Sequence, residues 1–274
     1  MPQPLPDPAD PPPSTIRWHA RGGSAEVELL DHVAQEHLEA AAHEVVALAE
    51  ELRPQGISLH IAADHPAHDL DPRPEAVADA AGFTERRDLL QMRRPLPVEA
   101  DHPERSSAPD IVTRAFVPGA DDDAWIRVNN RSFAGHPDQG AEDAGTLAAR
   151  MAEPWFDAAG FLVADEPDGS AAAGEMSGFC WTKVHPAEPG GDEALGEIYV
   201  IGVDPRHRGE GLGPAFVLAG LDHLAAGDIA TAVLFVDATN EPARRLYDRL
   251  GFTVHRRRRV YTQPPAAEPA TEAR

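Results

Sequence analysis

The sequence predicts a mixed α/β fold of the α+β kind, with a mixed central sheet flanked by helices and two similar regions in tandem, the first one shortened. Three observations carry this. Strand-like and helix-like segments alternate along most of the 274 residues. A glycine-rich stretch, "RHRGEGLG" (206–213), joins a strand-like run to a helix-like run late in the chain. A pattern also recurs: "AEVELLD" (25–31) parallels "GEIYVIGVD" (196–204), and "AAGFTERR" (80–87) parallels "RLGFTVHR" (249–256). The offsets, 25 to 196 and 80 to 249, are 171 and 169 residues. Near-constant offsets point to an internal duplication whose first copy lacks the opening elements.

In chain order, residues 1–15 are rich in Pro and Asp and predict a disordered start. The first region, 16–95, reads as strand 25–31, helix 35–52, strand 57–62, and a helix then a strand within 74–92. The polar stretch 96–109, rich in Pro and Ser, predicts a linker. The second region, 110–265, opens on the strand-like "IVTRAFV" (111–117). Three aspartates then lead "DDDAWIRVNNRSF" (121–133), as suits a helix N-terminus. "GFLVADE" and "MSGFCWTKV" read as two strands, and "LGEIYVIGV" (195–203) as a third. After the glycines comes the apolar helix "PAFVLAGLDHLAA" (214–226), with its first turn reaching back to residue 212. Strand 232–238, helix 240–250 and a final strand within 251–262 complete the region, and 266–274 is a tail.

Composition narrows the function. With 24 Lys+Arg against 46 Asp+Glu the net charge is −22, which repels nucleic acid and anionic membranes over most of the surface. No apolar run approaches the roughly 18 residues of a membrane helix, and no basic-then-apolar leader opens the chain, so a soluble cytoplasmic protein is expected; a monomer is the expected state. The lone cysteine, Cys180, excludes an internal disulfide framework and a Cys-rich metal site, and reads as a buried small hydrophobe. An anionic ligand would need its own positive pocket, and "RHRGEGLG" is one of few places that could supply it.

The glycine spacing discriminates among phosphate-binding loops. A P-loop needs a Lys after its last glycine, and none follows Gly213. A dinucleotide fingerprint needs G-x-G-x-x-G in the first βαβ unit, whereas this stretch runs G-x-G-x-G and comes late. Arg208, Gly211 and Gly213 instead fit Arg-x-x-Gly-x-Gly between strand and helix. The unpaired N–H groups and partial positive charge of a helix start favour an anion. Glycines let a diphosphate approach the backbone, Arg208 and Arg206 add charge, and Pro214 sits where its missing N–H costs little.

This order of elements, with "VIGVDPRHRGEGLG" at its centre and Asn240, Ala243, Tyr247, Gly251 and Phe252 spaced beyond it, resembles the GCN5-related N-acetyltransferase superfamily. The resemblance implies tandem domains of that fold, with acetyl-CoA as acetyl donor and no metal. It places Ile201, Gly202 and Val203 along the pantetheine, and Arg208, Gly209, Glu210, Gly211, Leu212, Gly213 and Pro214 around the pyrophosphate. Asn240, Glu241, Pro242, Ala243, Arg244 and Arg245 then line the other wall. "VNNRSFAGHPDQG" (128–140), "WFDAAGFLVA" (155–164), "GFCWTKVHP" (178–186) and "LLQMRRPL" (89–96) are similar to the mycothiol synthase family within it. That family acetylates the cysteinyl amine of a cysteinyl-glucosaminyl-inositol conjugate. The chemistry needs a base for the acceptor ammonium, N–H donors for the developing oxyanion and an acid for the departing thiolate. The resemblance assigns Glu197 to the substrate amine, as base or anchor, and Tyr247 to the acid. It assigns Asp138, Lys183 and Phe235 to the substrate, although Phe235 stands where the family usually has Tyr. The loop 185–197 is also a few residues long for the family.

The first copy carries no glycine after "VELLD". Glu36 and Glu39 would put negative charge where a pyrophosphate should lie, so residues 16–95 are expected to bind no acetyl-CoA and to serve as scaffold. "HIAADHPAHDLD" (60–71) has His60, His65 and His68 without clean metal spacing and reads as a solvated loop. In "HRRRR" (255–259), alternation puts Arg257 and Arg259 on one strand face and Arg256 and Arg258 on the other, which predicts a salt-bridged strand.

Overall fold

The computed structural model describes residues 14–21, 24–30, 33–55, 58–66, 70–134, 140–167, 169–170, 172–187 and 193–263. The chain forms two compact units that are not contiguous in sequence. The first takes residues up to Leu90, Asp237–Thr239 and the chain from His255 on; the second takes Gln91–Val236 and Asn240–Val254. The last strand therefore leaves the region 110–265 in which the sequence places it.

The first unit holds strands β1 (Ile16–Arg21), β2 (Ser24–Leu29) and β3 (Ser58–Pro66), helices α1 (Leu38–Leu52) and α2 (Arg73–Ala80), and the first part of β4 (Glu85–Pro95). β2 and β3 run parallel, joined through α1, and β10 (Thr253–Thr262) pairs antiparallel with β3 from Arg256↔Pro66 to Thr262↔His60. β1 is a strand that the sequence pattern does not announce. Helix α1 buries Leu38, Ala41, Ala42, Val45, Leu48, Ala49 and Leu52, a stripe at 3.6-residue spacing. That stripe meets Ile16, Val27, Ile61, Phe83 and Tyr261 in one core.

The arginine run does form a salt-bridged strand. Arg257 and Arg259 both reach Asp88, at 2.8 and 2.7 Å, while Arg258 on the opposite face meets Asp64 at 2.7 Å and also Glu26. Hydrogen bonds from Arg259 and Arg257 hold the Asp88 carboxyl below its ordinary value against the effect of burial. The histidine-rich stretch is not a solvated loop throughout. His60 and His65 lie on β3, and His65 is buried, its Nδ1 accepting the Asp71 N–H at 3.0 Å. Residues 67–69, His68 included, lie outside the described residues.

In the second unit the strand order is β4-β9-β8-β7-β6-β5, with β5 (Arg114–Ala115), β6 (Phe161–Asp165), β7 (Met176–His185), β8 (Leu195–Val203) and β9 (Thr231–Asp237). The expected strand 111–117 shrinks to β5, where Arg114 and Ala115 pair with Val163 and Leu162 of β6, and one further bond runs from the Phe116 N–H to Phe161 O at 2.7 Å. The expected linker 96–109 contains a short helix, α3 (Pro103–Ser107), and Arg105 ties it to Asp222 of the long helix α6 (Leu212–Ala226) at 2.5 Å. Helices α4 (Asp122–Ser132) and α5 (Ala144–Met151) follow β5, and α7 (Glu241–Arg249) follows β9. α5 starts on a capping box: Asp143 Oδ1 accepts the Thr146 N–H and Thr146 Oγ1 accepts the Asp143 N–H, both at 2.8 Å. An aromatic core fills one face of β7. Trp181 stacks on Phe161 at 4.2 Å between centroids and meets Trp125 edge-on at 5.8 Å.

The recurring pattern has a local counterpart in each unit. After α2, Gly82 has φ +79°, its N–H bonds to Asp79 O and the Phe83 N–H to Ala78 O. After α7, Gly251 has φ +80°, its N–H bonds to Asp248 O and the Phe252 N–H to Tyr247 O. The same helix terminator thus stands 169 residues apart (82 to 251), and Ala78 occupies the position that Tyr247 holds in the second copy. Among the described residues, no helix is long and apolar enough to cross a membrane.

Candidate active site

β8 is paired along its whole length with β7, but the register slips: Trp181 faces Val200 and Thr182 faces Ile198, leaving Tyr199 as an extra residue in the ladder. Such a bulge bends and twists a strand. On its other edge β8 pairs in parallel with β9 only from Leu195↔Thr231 to Ile198↔Leu234. Beyond Ile198 and Leu234 the two strands carry on unpaired with each other, to Val203 and Asp237. The edge of β8 that this ladder with β9 leaves free carries Ile201, Gly202 and Val203. The Val203 carbonyl accepts from Ser132 Oγ at 2.9 Å, which ties this end of β8 to α4.

The glycine loop follows from the end of β8. Asp204, fully buried, accepts the Arg206 N–H at 3.1 Å and pairs with the guanidinium groups of Arg131 and, at 3.2 Å, Arg206. Burial alone would raise the Asp204 carboxyl, yet these donors hold it below its ordinary value. Gly209 and Gly211 have φ +90° and +81°, conformations that a side chain strains to adopt. Gly211 caps α6 with no side-chain bond, so the N–H groups of its first turn are not covered from within the cap. Pro214 falls in that turn.

The two arginines of the loop differ, and the expectation that both add charge to it needs correction. Arg206 is committed to Asp204 and, at 2.8 Å, to Glu175. Arg208 is exposed, and its side chain has no ion-pair or hydrogen-bond partner among the described residues. Glu210, inside the loop, is held by His207 Nδ1 at 2.9 Å, and the other ring nitrogen of His207 meets Glu166.

After β9, Asn240 caps α7 by accepting the Ala243 N–H at 3.2 Å, and Pro242 sits in the first turn. Glu241 and Arg245 pair with each other at 2.9 Å. Tyr247, one turn further, is buried against Phe252 at 5.8 Å between ring centroids. Burial pushes its phenol well above the ordinary tyrosine value, with Cys180 adding to the effect. Cys180 is itself buried, its thiol pushed up to about 12, and lies so near α6 that a Cβ on Gly220 would stand 2.6 Å from its Sγ.

Glu197, which strand alternation alone could have left on a solvated face, is 7% exposed. It is opposite Lys183, while His185 on the same face of β7 reaches its Oε2 through Nε2 at 2.7 Å. Lys183 has no ion pair among the described residues; its Nζ lies over the Trp155 ring at 4.6 Å and over the Tyr199 ring at 5.5 Å. Arg150 donates to the Tyr199 hydroxyl at 3.1 Å and also pairs with buried Glu142. Burial raises the Tyr199 phenol, the Arg150 charge opposing. Phe235 is 46% exposed on β9, an uncommon setting for a large apolar ring. Asp138 lies outside the described residues.

The structure thus brings Glu197 and Lys183 together on one face of β7 and β8, and puts the glycine loop at the far end of β8. His185, Tyr199, Trp155, Arg150 and His207 are additions that the sequence reading missed. The alternation Lys183-Val184-His185 was the available signal, since it places Lys183 and His185 on one face. Among the described residues no group of three acidic, His or Cys side chains could hold a metal ion.

Residues 125–252 match the model of the acetyltransferase (GNAT) family. A mycothiol acetyltransferase of Acidimicrobium ferrooxidans is 48% identical over 258 residues, covering 92% of this chain and 78% of the relative. One of Thermomonospora curvata is 46% identical over 190 residues, covering 69% of this chain and 60% of the relative, so the chain spans less than two thirds of that protein. In fold, the chain is similar to a GCN5-related N-acetyltransferase from Sphaerobacter thermophilus, with a TM-score of 0.66 at 21% identity over 90% of this chain and 75% of that one. It is also similar to a tandem GNAT protein from the clavulanic acid biosynthesis pathway, with a TM-score of 0.56 at 18% identity over 89% and 77%. The splayed strands, the glycine loop and the 48% identity agree: the chain belongs to the mycothiol acetyltransferase family and is an acetyltransferase of the GNAT fold.

Proposed function

We propose that the second unit transfers the acetyl group of acetyl-CoA to the cysteinyl amine of a cysteinyl-glucosaminyl-inositol conjugate, forming mycothiol. The observation that carries this reading is the splay of β8 from β9 with Glu197 at its closed end and the glycine loop at its open end.

The residues present fit acetyl-CoA. A diphosphate suits the uncapped start of α6, the left-handed Gly209 and Gly211 and the exposed Arg208, whose side chain has no partner among the described residues. Main-chain groups of Ile201, Gly202 and Val203 edge the cleft for the pantetheine arm. When bound, acetyl-CoA supplies the acetyl group as an activated thioester. Glu197 accepts a proton from the acceptor ammonium or anchors it. Tyr247, kept protonated by burial, supplies a proton to the departing sulfur. Lys183, Asp138 and Phe235 contact the conjugate, and the Lys183 ammonium, held over two rings and without an ion pair among the described residues, meets its polar groups.

The first unit serves as scaffold in this reading. At the start of α1 its exposed residues are Ala34, Gln35, Glu36, His37 and Glu39, with two carboxylates and no glycine, and Ala78 replaces the phenol.

The test is direct. The protein is incubated with acetyl-CoA and the cysteinyl-glucosaminyl-inositol amine, and free CoA thiol is followed. Steady release that depends on this amine supports the reading; release with other amines but not with this one overturns the acceptor while leaving the chemistry.

A further inference from the structure

We propose that His185 is a positioning residue for acetyl transfer: its ring N–H fixes one oxygen of Glu197 so that the other faces the acceptor amine. This rests on the reading of Glu197 given above. His185 lies at the end of β7 opposite Leu195, one diagonal step from Glu197, and diagonal neighbours on one sheet face are within reach of long side chains. Its Nε2 stands 2.7 Å from Glu197 Oε2, while Glu197 Oε1 has no hydrogen bond among the described residues. A carboxylate bound through one oxygen keeps the other available as acceptor.

The neighbouring charges favour this arrangement. Lys183 shares the face but places its ammonium over Trp155 and Tyr199. Arg150 is engaged with Glu142 and Tyr199. No Lys or Arg makes an ion pair with Glu197 among the described residues, so its charge is not tied to a permanent cation that would weaken it as a base. His185 donates through Nε2 whether neutral, in that tautomer, or protonated. The ring thus holds the carboxylate's rotamer without having to carry the proton itself. The balance of the reaction is unaffected: the C–N bond forms as the C–S bond breaks, one amine proton leaves through Glu197 to solvent and the other ends on the CoA sulfur.

Three variants test it: His185→Leu, which removes the donor; His185→Gln, whose amide nitrogen falls where Nε2 lies; and Glu197→Gln. The expected result is a kcat loss of about 10- to 100-fold in His185→Leu, as a misplaced reacting group costs. Most of that loss returns in His185→Gln, and calorimetry finds the acetyl-CoA dissociation constant unchanged in both. A readout independent of turnover is the proton NMR of the wild-type ring: a downfield His185 N–H signal that disappears in Glu197→Gln supports the contact. Wild-type kcat in His185→Leu, an equal loss in the Gln and Leu variants, or a ring signal indifferent to Glu197→Gln overturns the proposal. Full activity in Glu197→Gln overturns the reading of Glu197 itself, which separates the two failures.

Discussion

Glu210 turns its carboxylate onto His207, 2.9 Å from Nδ1, so that the one acidic side chain inside the glycine loop is neutralised beside the helix start where a diphosphate is proposed to sit. Glu166, from the turn after β6, meets the other ring nitrogen. Burial would lower the His207 imidazolium, but the Glu210 hydrogen bond and the Glu166 charge outweigh it, and the group is raised above the ordinary histidine value of about 6.5. A raised folded-state value means that the imidazolium clamp is fully present below the unfolded value and is lost as pH rises through the folded one. Acetyl-CoA affinity is therefore expected to weaken as pH climbs through the raised His207 value, when the imidazolium loses its charge and leaves the Glu210 carboxylate uncompensated beside the phosphates. In His207→Gln that pH dependence should flatten. Calorimetric titration across neutral pH checks both.

Arg206 and Arg208 should separate under mutation. Arg206 is engaged with Asp204 and Glu175, whereas the Arg208 side chain has no ion-pair or hydrogen-bond partner among the described residues. Arg208→Ala is expected to weaken acetyl-CoA binding about tenfold, the scale of one charge-assisted hydrogen bond to a phosphate, at unchanged melting temperature. Arg206→Ala should do the reverse, lowering the melting temperature by a few degrees with a smaller effect on affinity. Equal affinity losses in the two variants would show that the loop does not divide its arginines in this way.

Tyr247→Phe keeps the ring that packs on Phe252 and removes only the hydroxyl. Folding should be preserved and kcat should fall by about 100-fold, the lower end of what a positioned acid contributes. An unchanged kcat would return Tyr247 to the core.

The two copies predict one acetyl-CoA per chain. Glu36, Glu39 and Ala78 replace the glycines and the phenol in the first unit. Calorimetry should find a single site; two equal sites would contradict the scaffold role.

How much of this was legible beforehand differs by element. β8 is read from the sequence to the residue, Leu195–Val203, because its apolar run is bounded by a loop and by Asp204-Pro205. The glycine loop and the start of α6 follow from local chemistry alone. The strand 111–117 is overestimated because apolar composition cannot say that the ladder with β6 spans just Arg114 and Ala115. α5 is missed although Asp143-x-x-Thr146 is a local start signal. β10 falls to the first unit because its partners, β3, Asp64 and Asp88, lie about 170 to 200 residues away in sequence, beyond any local pattern. In the site, Glu197 and Lys183 come from resemblance, but the His185 contact depends on cross-strand register. Alternation shows which face His185 shares and not how far along β8 it sits. Likewise, the difference between Arg206 and Arg208 arises from Glu175, on a separate turn, and is invisible in "RHRGEGLG" itself.

The central claim is tested most directly by selectivity between acceptors. The ratio kcat/KM is measured for the cysteinyl-glucosaminyl-inositol conjugate, for a simple cysteine ester and for a peptide with a free N-terminus, at one acetyl-CoA concentration. A site built to hydrogen-bond polar acceptor groups through Lys183 and its neighbours should prefer the conjugate by about 100-fold or more, since an acceptor lacking those groups leaves buried polar partners unmet. Equal kcat/KM values for all three, or a preference for the peptide, would contradict the assignment of the acceptor.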